Sequence, residues 1–193
     1  MSGRAHLNID ELDYVFGYFP ELSPSFLAFS ALLGGYRFER ERAPRYLELG
    51  FGQGVPINIH AAACPGVFWG NDFSPSHVKF ARTLAHASGS GATLLEDSFE
   101  QMAARDDLPE FDIIALHGIW TWVSQEDRAA IMDIVRRKLA PGGLLYVSYN
   151  CLASWAPLMP VRKLMLAHAK ADPVDRPLTE KVRNALEFAQ SLI

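Results

Sequence analysis

From Arg45 onward, short apolar runs alternate with segments bounded by helix start and stop signals. Tyr46-Leu47-Glu48-Leu49, Val67 to Asp72, Ala92 to Glu96, Phe111 to Leu116 and Leu144 to Tyr149 have strand length and strand composition. The run FDIIAL reads as a strand buried on both faces. Between these runs, Gly54 to Ala63 predicts a helix that tolerates Pro56 in its first turn. Ser74-Pro75 predicts a second, with Ser as cap and Pro at the first position, running to about Ser88, where Gly89 and Gly91 stop it. A short helix follows Ser98. Ser124 caps a helix from about Gln125 to Leu139, acidic at its start (Glu126, Asp127) and basic at its end (Arg136, Arg137, Lys138), the order that suits the helix dipole. Ala140-Pro141-Gly142-Gly143 reads as its stop. Strands alternating with helices imply right-handed crossovers, hence an α/β fold with a doubly wound, mostly parallel sheet covered on both faces. The chain divides into a helical and aromatic segment (1–44), the sheet domain (45–150) and a helical tail (151–193). In the tail, Leu158 to Ala169 and Thr179 to Leu192 read as helices, with Thr179 as a cap.

Composition narrows the classes. A chain of 193 residues, 49% of them hydrophobic, suits one domain with a substantial core. The net charge of -4 gives no support to nucleic-acid binding. The basic stretch Arg37–Arg45 is interrupted by Glu39 and Glu41 and reads as a solvated loop. Cys64 and Cys151 are far apart and indicate neither a disulfide framework nor a metal site. Asp10, Glu11 and Asp13 fall where a leader's apolar stretch would lie, and no run approaches the ~18 apolar residues of a membrane span. The expectation is a soluble cytoplasmic protein with no membrane or nucleic-acid partner.

On such sheets, ligands bind beyond the carboxyl ends of the strands, near the switch point. The tip of the first strand reads Glu48-Leu49-Gly50-Phe51-Gly52-Gln53-Gly54. It has neither the Lys nor the Ser/Thr of a phosphate-binding P-loop. A dinucleotide fingerprint needs its third glycine at position 55, where Val55 stands, so an NAD-dependent oxidoreductase is disfavoured. Glu48, two residues before Gly50, is poorly placed for a pyrophosphate and well placed for an ammonium or sulfonium. Asp72 lies 22 residues after Gly50 (72 − 50), where a carboxylate can take both ribose hydroxyls, and Phe73 beside it can face a base. Asp97, with Ser98 and Phe99, forms the third tip, where a carboxylate can accept from an exocyclic amine. Ammonium, ribose and adenine together describe S-adenosylmethionine. The alternative for each acid is structural: Glu48 in a salt bridge, Asp72 and Asp97 as helix caps.

ELGFGQG, GNDFS, LLEDSF, FDIIALHG and LAPGGLLYVSY come in the order found in class I S-adenosylmethionine-dependent methyltransferases, and over residues 45–150 the chain resembles that family. YVFGYFPELSPSFLAF, ALHGIWTWVS and YVSYN resemble more closely a bacterial group carrying an attached methyltransferase regulatory domain. Characterised relatives in that group methylate lysines of an outer-membrane protein. The resemblance implies methyl transfer to a protein side-chain nitrogen. The alternatives are a small-molecule acceptor and a non-catalytic cofactor-binding or regulatory module. In the family the tip of the fourth strand faces the methyl group. Here it reads His117-Gly118-Ile119-Trp120-Thr121-Trp122. It lacks the Asp/Asn/Ser-Pro-Pro-aromatic tetrapeptide of adenine-N6 enzymes and the Pro-Cys of cytosine-C5 enzymes. No acidic cluster of the catechol type is present to hold magnesium. His117, a cofactor neighbour, is either the base or a structural hydrogen-bonder, and Tyr149 and Asn150 are candidate acceptor-side hydrogen-bonders. Trp120 and Trp122 either line an acceptor slot or cover core. The aromatic segment Tyr14, Phe16, Tyr18 and Phe19 is either a lid over the cofactor or plain helix packing.

The family's sheet has two further strands in an antiparallel hairpin, which the text after Asn150 does not supply. The expectation is a fragment lacking its closing strands. Leu158–Ala169 is then the only nearby sequence able to cover the fifth strand, failing which the chain forms a homodimer through its tail.

Overall fold

The computed structural model describes residues 16–38, 43–173 and 175–192. Asp10, Glu11, Asp13, Tyr14, Glu39 and Glu41 lie outside the described residues. The chain forms two compact units, meeting in sequence between Tyr149 and Asn150.

The first unit holds a parallel five-stranded sheet. Its strands are β1 (Arg45–Leu49), β2 (Val67–Asp72), β3 (Thr93–Glu96), β4 (Phe111–Leu116) and β5 (Leu139–Val147), in the order β3-β2-β1-β4-β5. The chain winds outward from β1 to β3, then returns to β4 on the other side of β1. The switch point therefore lies between the tips of β1 and β4. Successive residues of a strand face opposite layers, and the two cores follow from that alternation. Tyr46, Phe68, Leu94, Ile113 and Ala115 pack with Ile57 of α2 (Val55–Ala63), Val78 and Ala81 of α3 (Pro75–Ser88), and Leu27 of α1 (Pro24–Leu33). Leu47, Leu49, Ile114 and Leu116 pack with Met102 of α4 (Phe99–Ala104) and with Ile131, Ile134 and Val135 of α5 (Gln125–Lys138). Burying each such side chain contributes roughly 1.5–3 kcal/mol.

Two starts are set by caps. Ser98 and Gln101 form a reciprocal capping box on α4, and Ser124 with Asp127 does the same on α5. Ser74 precedes α3 without a side-chain cap bond. Gly54 precedes α2 at φ 69, and a Cβ there would stand 2.5 Å from the Ala81 Cβ. Gly54→Ala is expected to cost about 1–3 kcal/mol through backbone strain and overpacking of α2 on α3. Urea unfolding reads this directly, and an unmoved midpoint would show that the two helices separate freely.

β5 begins earlier than the sequence suggests. Phe111 pairs with Leu139, then Ile113 with Leu144, so Ala140-Pro141-Gly142-Gly143 is a bulge within the strand and not a stop before it. Gly142 takes φ 71, and a Cβ on Gly143 would lie 3.0 Å from the Asp112 carbonyl. The strand ends at Val147, although the Ser148 N–H still donates to the Leu116 carbonyl (3.1 Å). Tyr149 and Asn150 therefore lie beyond the strand they were expected to end. α1 packs against β5, and the Tyr36 hydroxyl donates to the Gly142 carbonyl (2.9 Å). The idea that only Leu158–Ala169 is available to cover β5 is thus corrected. Among the described residues the sheet has no antiparallel strand.

In the second unit, α6 (Leu152–Trp155) and a 3-10 turn (Ala156–Leu158) lead into α7 (Met159–Ala171) and α8 (Leu178–Gln190). α7 and α8 pack together: His168 stacks on Phe188 (4.4 Å), and Asp172 accepts from Arg176 (2.9 Å) and Asn184 (3.2 Å). α8 starts after Pro177, so Thr179 sits in the first turn and is not the cap.

Candidate active site

The loop after β1 is built from glycines in the left-handed region, where a side chain is strained: Gly50, Gly52 and Gly54 have φ of 69, 57 and 69. The N–H groups of Gly50 and Phe51 both donate to the Asn71 carbonyl (2.9 and 3.0 Å), tying the loop to the end of β2. Gly50 also lies under Ile119, whose Cδ1 is 2.7 Å from where a Cβ would be. Gly50 and Gly54 thus have no room for a side chain.

Beneath it lies a narrow cleft lined by Glu48, Gly50, Phe51, Gln53 and Gly54 of the loop, by His117 at the tip of β4, and by Phe19 and Leu22 from the N-terminal segment. Glu48 is 3% exposed. Among the described residues it accepts a hydrogen bond from the Tyr46 hydroxyl at 3.4 Å, and no Lys, Arg or His pairs with it. Among the described residues the salt-bridge alternative for Glu48 therefore has no partner. Burial raises its carboxyl to about 8, against the lowering effect of the Tyr46 bond. A buried carboxylate without a cation is costly. A ligand ammonium entering this cleft supplies the missing charge, so the donor set fits a cationic ligand.

Asp72, 5% exposed, has both oxygens engaged. Oδ2 accepts from the Gly52 N–H (2.8 Å), while Oδ1 accepts from the Ser74 N–H (3.0 Å) and lies 3.1 Å from His77 Nδ1. It fastens the glycine loop and also serves the start of α3, so the structural role weighed for it is present. Oδ2 keeps a free lone-pair direction, whereas Oδ1 already faces two partners. Phe73 is 59% exposed, and neither it nor Asp72, Asp97, Ser98 or Phe99 lines the cleft. Asp97 is paired with Arg105 Nη1 (2.8 Å), which also holds Asp107 (2.7 Å), and the Asp97 backbone carbonyl takes the Asn71 amide (2.9 Å). Its carboxylate does not cap α4, because Ser98 does that. Phe99 lies 3.5 Å from a Cβ built on Gly50, which brings the third tip up against the loop.

His117 stands at the tip of β4. Its Nδ1 is 3.2 Å from the Tyr146 hydroxyl and 3.8 Å from Glu21 Oε1, and Phe19 stacks on its ring at 4.4 Å. Burial lowers its pKa, partly opposed by Glu21. Ser148 Oγ accepts from the Gly118 N–H (2.7 Å), joining the β4 and β5 tips. Trp120 packs on the α5 layer with Arg128 over its ring (5.6 Å), so it covers core. Trp122 and Tyr149 are 63% and 65% exposed. Neither these two nor Asn150 lines the cleft. Of the residues expected as a lid, Phe19 lines the cleft, beside Gly17 and Leu22, whereas Phe16 meets Phe80 edge-on (5.1 Å) and Tyr18 lies 5.5 Å from His60. Glu21 and Tyr146 were not legible in the sequence. No motif spacing joins positions 21, 117 and 146, and only the winding of the sheet brings them together.

Residues 47–143 match the methyltransferase domain family. The uncharacterized protein sll1526 of Synechocystis sp. is 37% identical over 186 residues, covering 95% of this chain and 36% of its own. The uncharacterized protein RP789 of Rickettsia prowazekii is 28% identical over 194 residues, covering 96% and 34%. Among solved structures, PKMT2 from Rickettsia typhi in complex with AdoHcy superposes with a TM-score of 0.77 at 24% identity, covering 93% of this chain and 35% of that one. The chain spans about a third of the length of these relatives.

Proposed function

The chain belongs to the methyltransferase domain family, and we propose that it carries a methyl group from S-adenosylmethionine to a side-chain nitrogen of a protein, lysine-like in chemistry. The observation that carries this reading is the buried Glu48, without a cation among the described residues, beneath a left-handed glycine loop and in one cleft with His117. S-adenosylmethionine, when bound, supplies a methyl group on a sulfonium, open to direct displacement. Glu48 answers the ligand's ammonium. Gly50, Gly52 and Gly54 let the backbone approach closely. Asp72 offers the remaining lone pair of Oδ2 to the ribose, Phe73 and Phe99 give ring contacts to the base, and Asp97 accepts from its amine. Phe19 and Leu22 exclude water from the mouth, and His117 takes a proton from the acceptor. The acceptor class rests on the resemblance of the 14–29 and 115–124 segments to bacterial methyltransferases with an attached regulatory domain, and is supported by the likeness to PKMT2.

Incubation of the protein with cell lysate and radiolabelled S-adenosylmethionine is expected to label protein bands. Label confined to small molecules would move the acceptor class, and no label with intact cofactor binding would favour a non-catalytic module. Asp72→Ala is expected to weaken S-adenosylmethionine by about 1–3 kcal/mol, because buried donors lose their acceptor. An unchanged affinity by titration calorimetry would remove the ribose role. Association of two copies through residues 151–193, in a cytoplasmic setting, belongs to the same reading. Sedimentation velocity of the chain beside one shortened to end at Asn150 tests the association, and a monomer in both removes it. Among the described residues no helix is long and apolar enough to cross a membrane.

A further inference from the structure

We infer that Glu21 and Tyr146 position His117 as the proton acceptor for a protonated primary amine at the mouth of the cleft. The inference rests on the methyl-transfer reading above and adds two residues and a substrate charge to it. The three side chains come from three elements: the turn Pro20–Leu22, the tip of β4, and β5. The Tyr146 hydroxyl and the Glu21 carboxylate both approach the same imidazole nitrogen, Nδ1, at 3.2 and 3.8 Å. A carboxylate and a phenolic oxygen at Nδ1 favour the tautomer with its proton there. Nε2 is then left with a free lone pair. Stacking of Phe19 at 4.4 Å fixes the ring plane.

Among the described residues the charge facing His117 is the Glu21 carboxylate, from the N-terminal turn. Glu48 shares the cleft from β1, but burial holds it protonated up to about 8 in the free domain, and the Tyr146 phenol lies on the β5 side. The side chains of His117 and Glu21 are 23% and 32% exposed, so the group opens to solvent. An acidic mouth flanked by Phe19 and Leu22 suits an aliphatic stem ending in an ammonium, and repels an acceptor carboxylate. The balance is simple. The ammonium gives one proton to Nε2, its freed lone pair forms the N–C bond, and the S–C bond breaks with its electron pair left on sulfur as a thioether. The imidazolium, held by Glu21, returns its proton to water.

Long-range 1H–15N spectra of the full chain report tautomer and pKa for His117 without any turnover. The expected neutral form carries its proton on Nδ1. Glu21→Gln is expected to lower the His117 pKa by about half a unit, the size of a carboxylate's effect at 3.8 Å near water. Tyr146→Phe is expected to raise the Nε2–H tautomer. A neutral form protonated on Nε2, or a pKa and tautomer ratio unmoved by both variants, overturns the positioning role. In lysate labelling, the activity is lost as pH falls through the His117 pKa, so Glu21→Gln moves that limb to lower pH by the same amount as in the spectra. A limb that stays put while the spectra shift removes His117 as the acceptor of the proton. The transferred methyl groups are expected to survive mild base. Base-labile label, the mark of carboxyl methylation, overturns the amine assignment. Failure of all transfer with the predicted spectra counts against the methyl-transfer reading and leaves the positioning geometry standing.

Discussion

Gly52→Val is expected to abolish measurable binding of S-adenosylmethionine while leaving the sheet folded. Gly52 sits at φ 57, where a β-branched residue is an outlier. Forcing valine there costs about 1–3 kcal/mol of local strain, which the loop relieves by moving. Movement breaks the bond from the Gly52 N–H to Asp72 (2.8 Å), the contact that holds the loop against β2 and steadies the proposed ribose acceptor. Neither core layer includes Gly52, so far-UV circular dichroism should match the parent. Retained binding with a normal spectrum would reduce the loop to a simple turn.

Glu48→Gln is expected to stabilise the free domain and to weaken ligand binding. Glu48 is an acid whose folded pKa is raised, from an ordinary 4.5 to about 8. Its protonated form is the one the fold prefers. Below pH 4.5 both folded and unfolded chains hold the proton and there is no penalty. Between about 4.5 and 8 the unfolded chain gives up its proton first, so stability falls as pH rises. Above 8 the loss is complete, on the order of a few kcal/mol. Glutamine keeps an acceptor for the Tyr46 hydroxyl and removes the slope. A ligand ammonium favours ionised Glu48, so binding near neutral pH should release a proton, visible as a dependence of calorimetric heat on buffer ionisation. Glutamine should lose both that release and roughly tenfold or more in affinity. A variant with the parent's pH slope would show that Glu48 is already ionised or otherwise paired.

The opposite signs of these two effects explain why the site was partly legible. Glu48 is a local contradiction, an acid in an apolar strand ahead of glycines, and contradictions of that kind are visible in a sequence. The strands β2 and β4 were equally plain, because runs such as VFWGND and FDIIAL have few other uses. β5 was misjudged at its start because Pro-Gly-Gly stops helices, and nothing local says that a strand resumes through a bulge. Asp97 read as an adenine contact, and its partner Arg105 sits eight residues on in a segment with no motif. Glu21 and Tyr146 lie 125 residues apart (146 − 21) and meet His117 only because the first segment folds back over β4 and β5. Pair chemistry of that range is decided by topology, which spacing along the chain does not encode.

The central claim is that the cleft beneath the glycine loop is a site for S-adenosylmethionine. Titration calorimetry of the chain against S-adenosylmethionine, S-adenosylhomocysteine and NADH tests it most directly. Saturable heat with the first two at one site per chain, lost in Gly52→Val and absent with NADH, is the predicted result. Binding of NADH in their place, or no heat from either sulfur ligand with a folded chain, would contradict it.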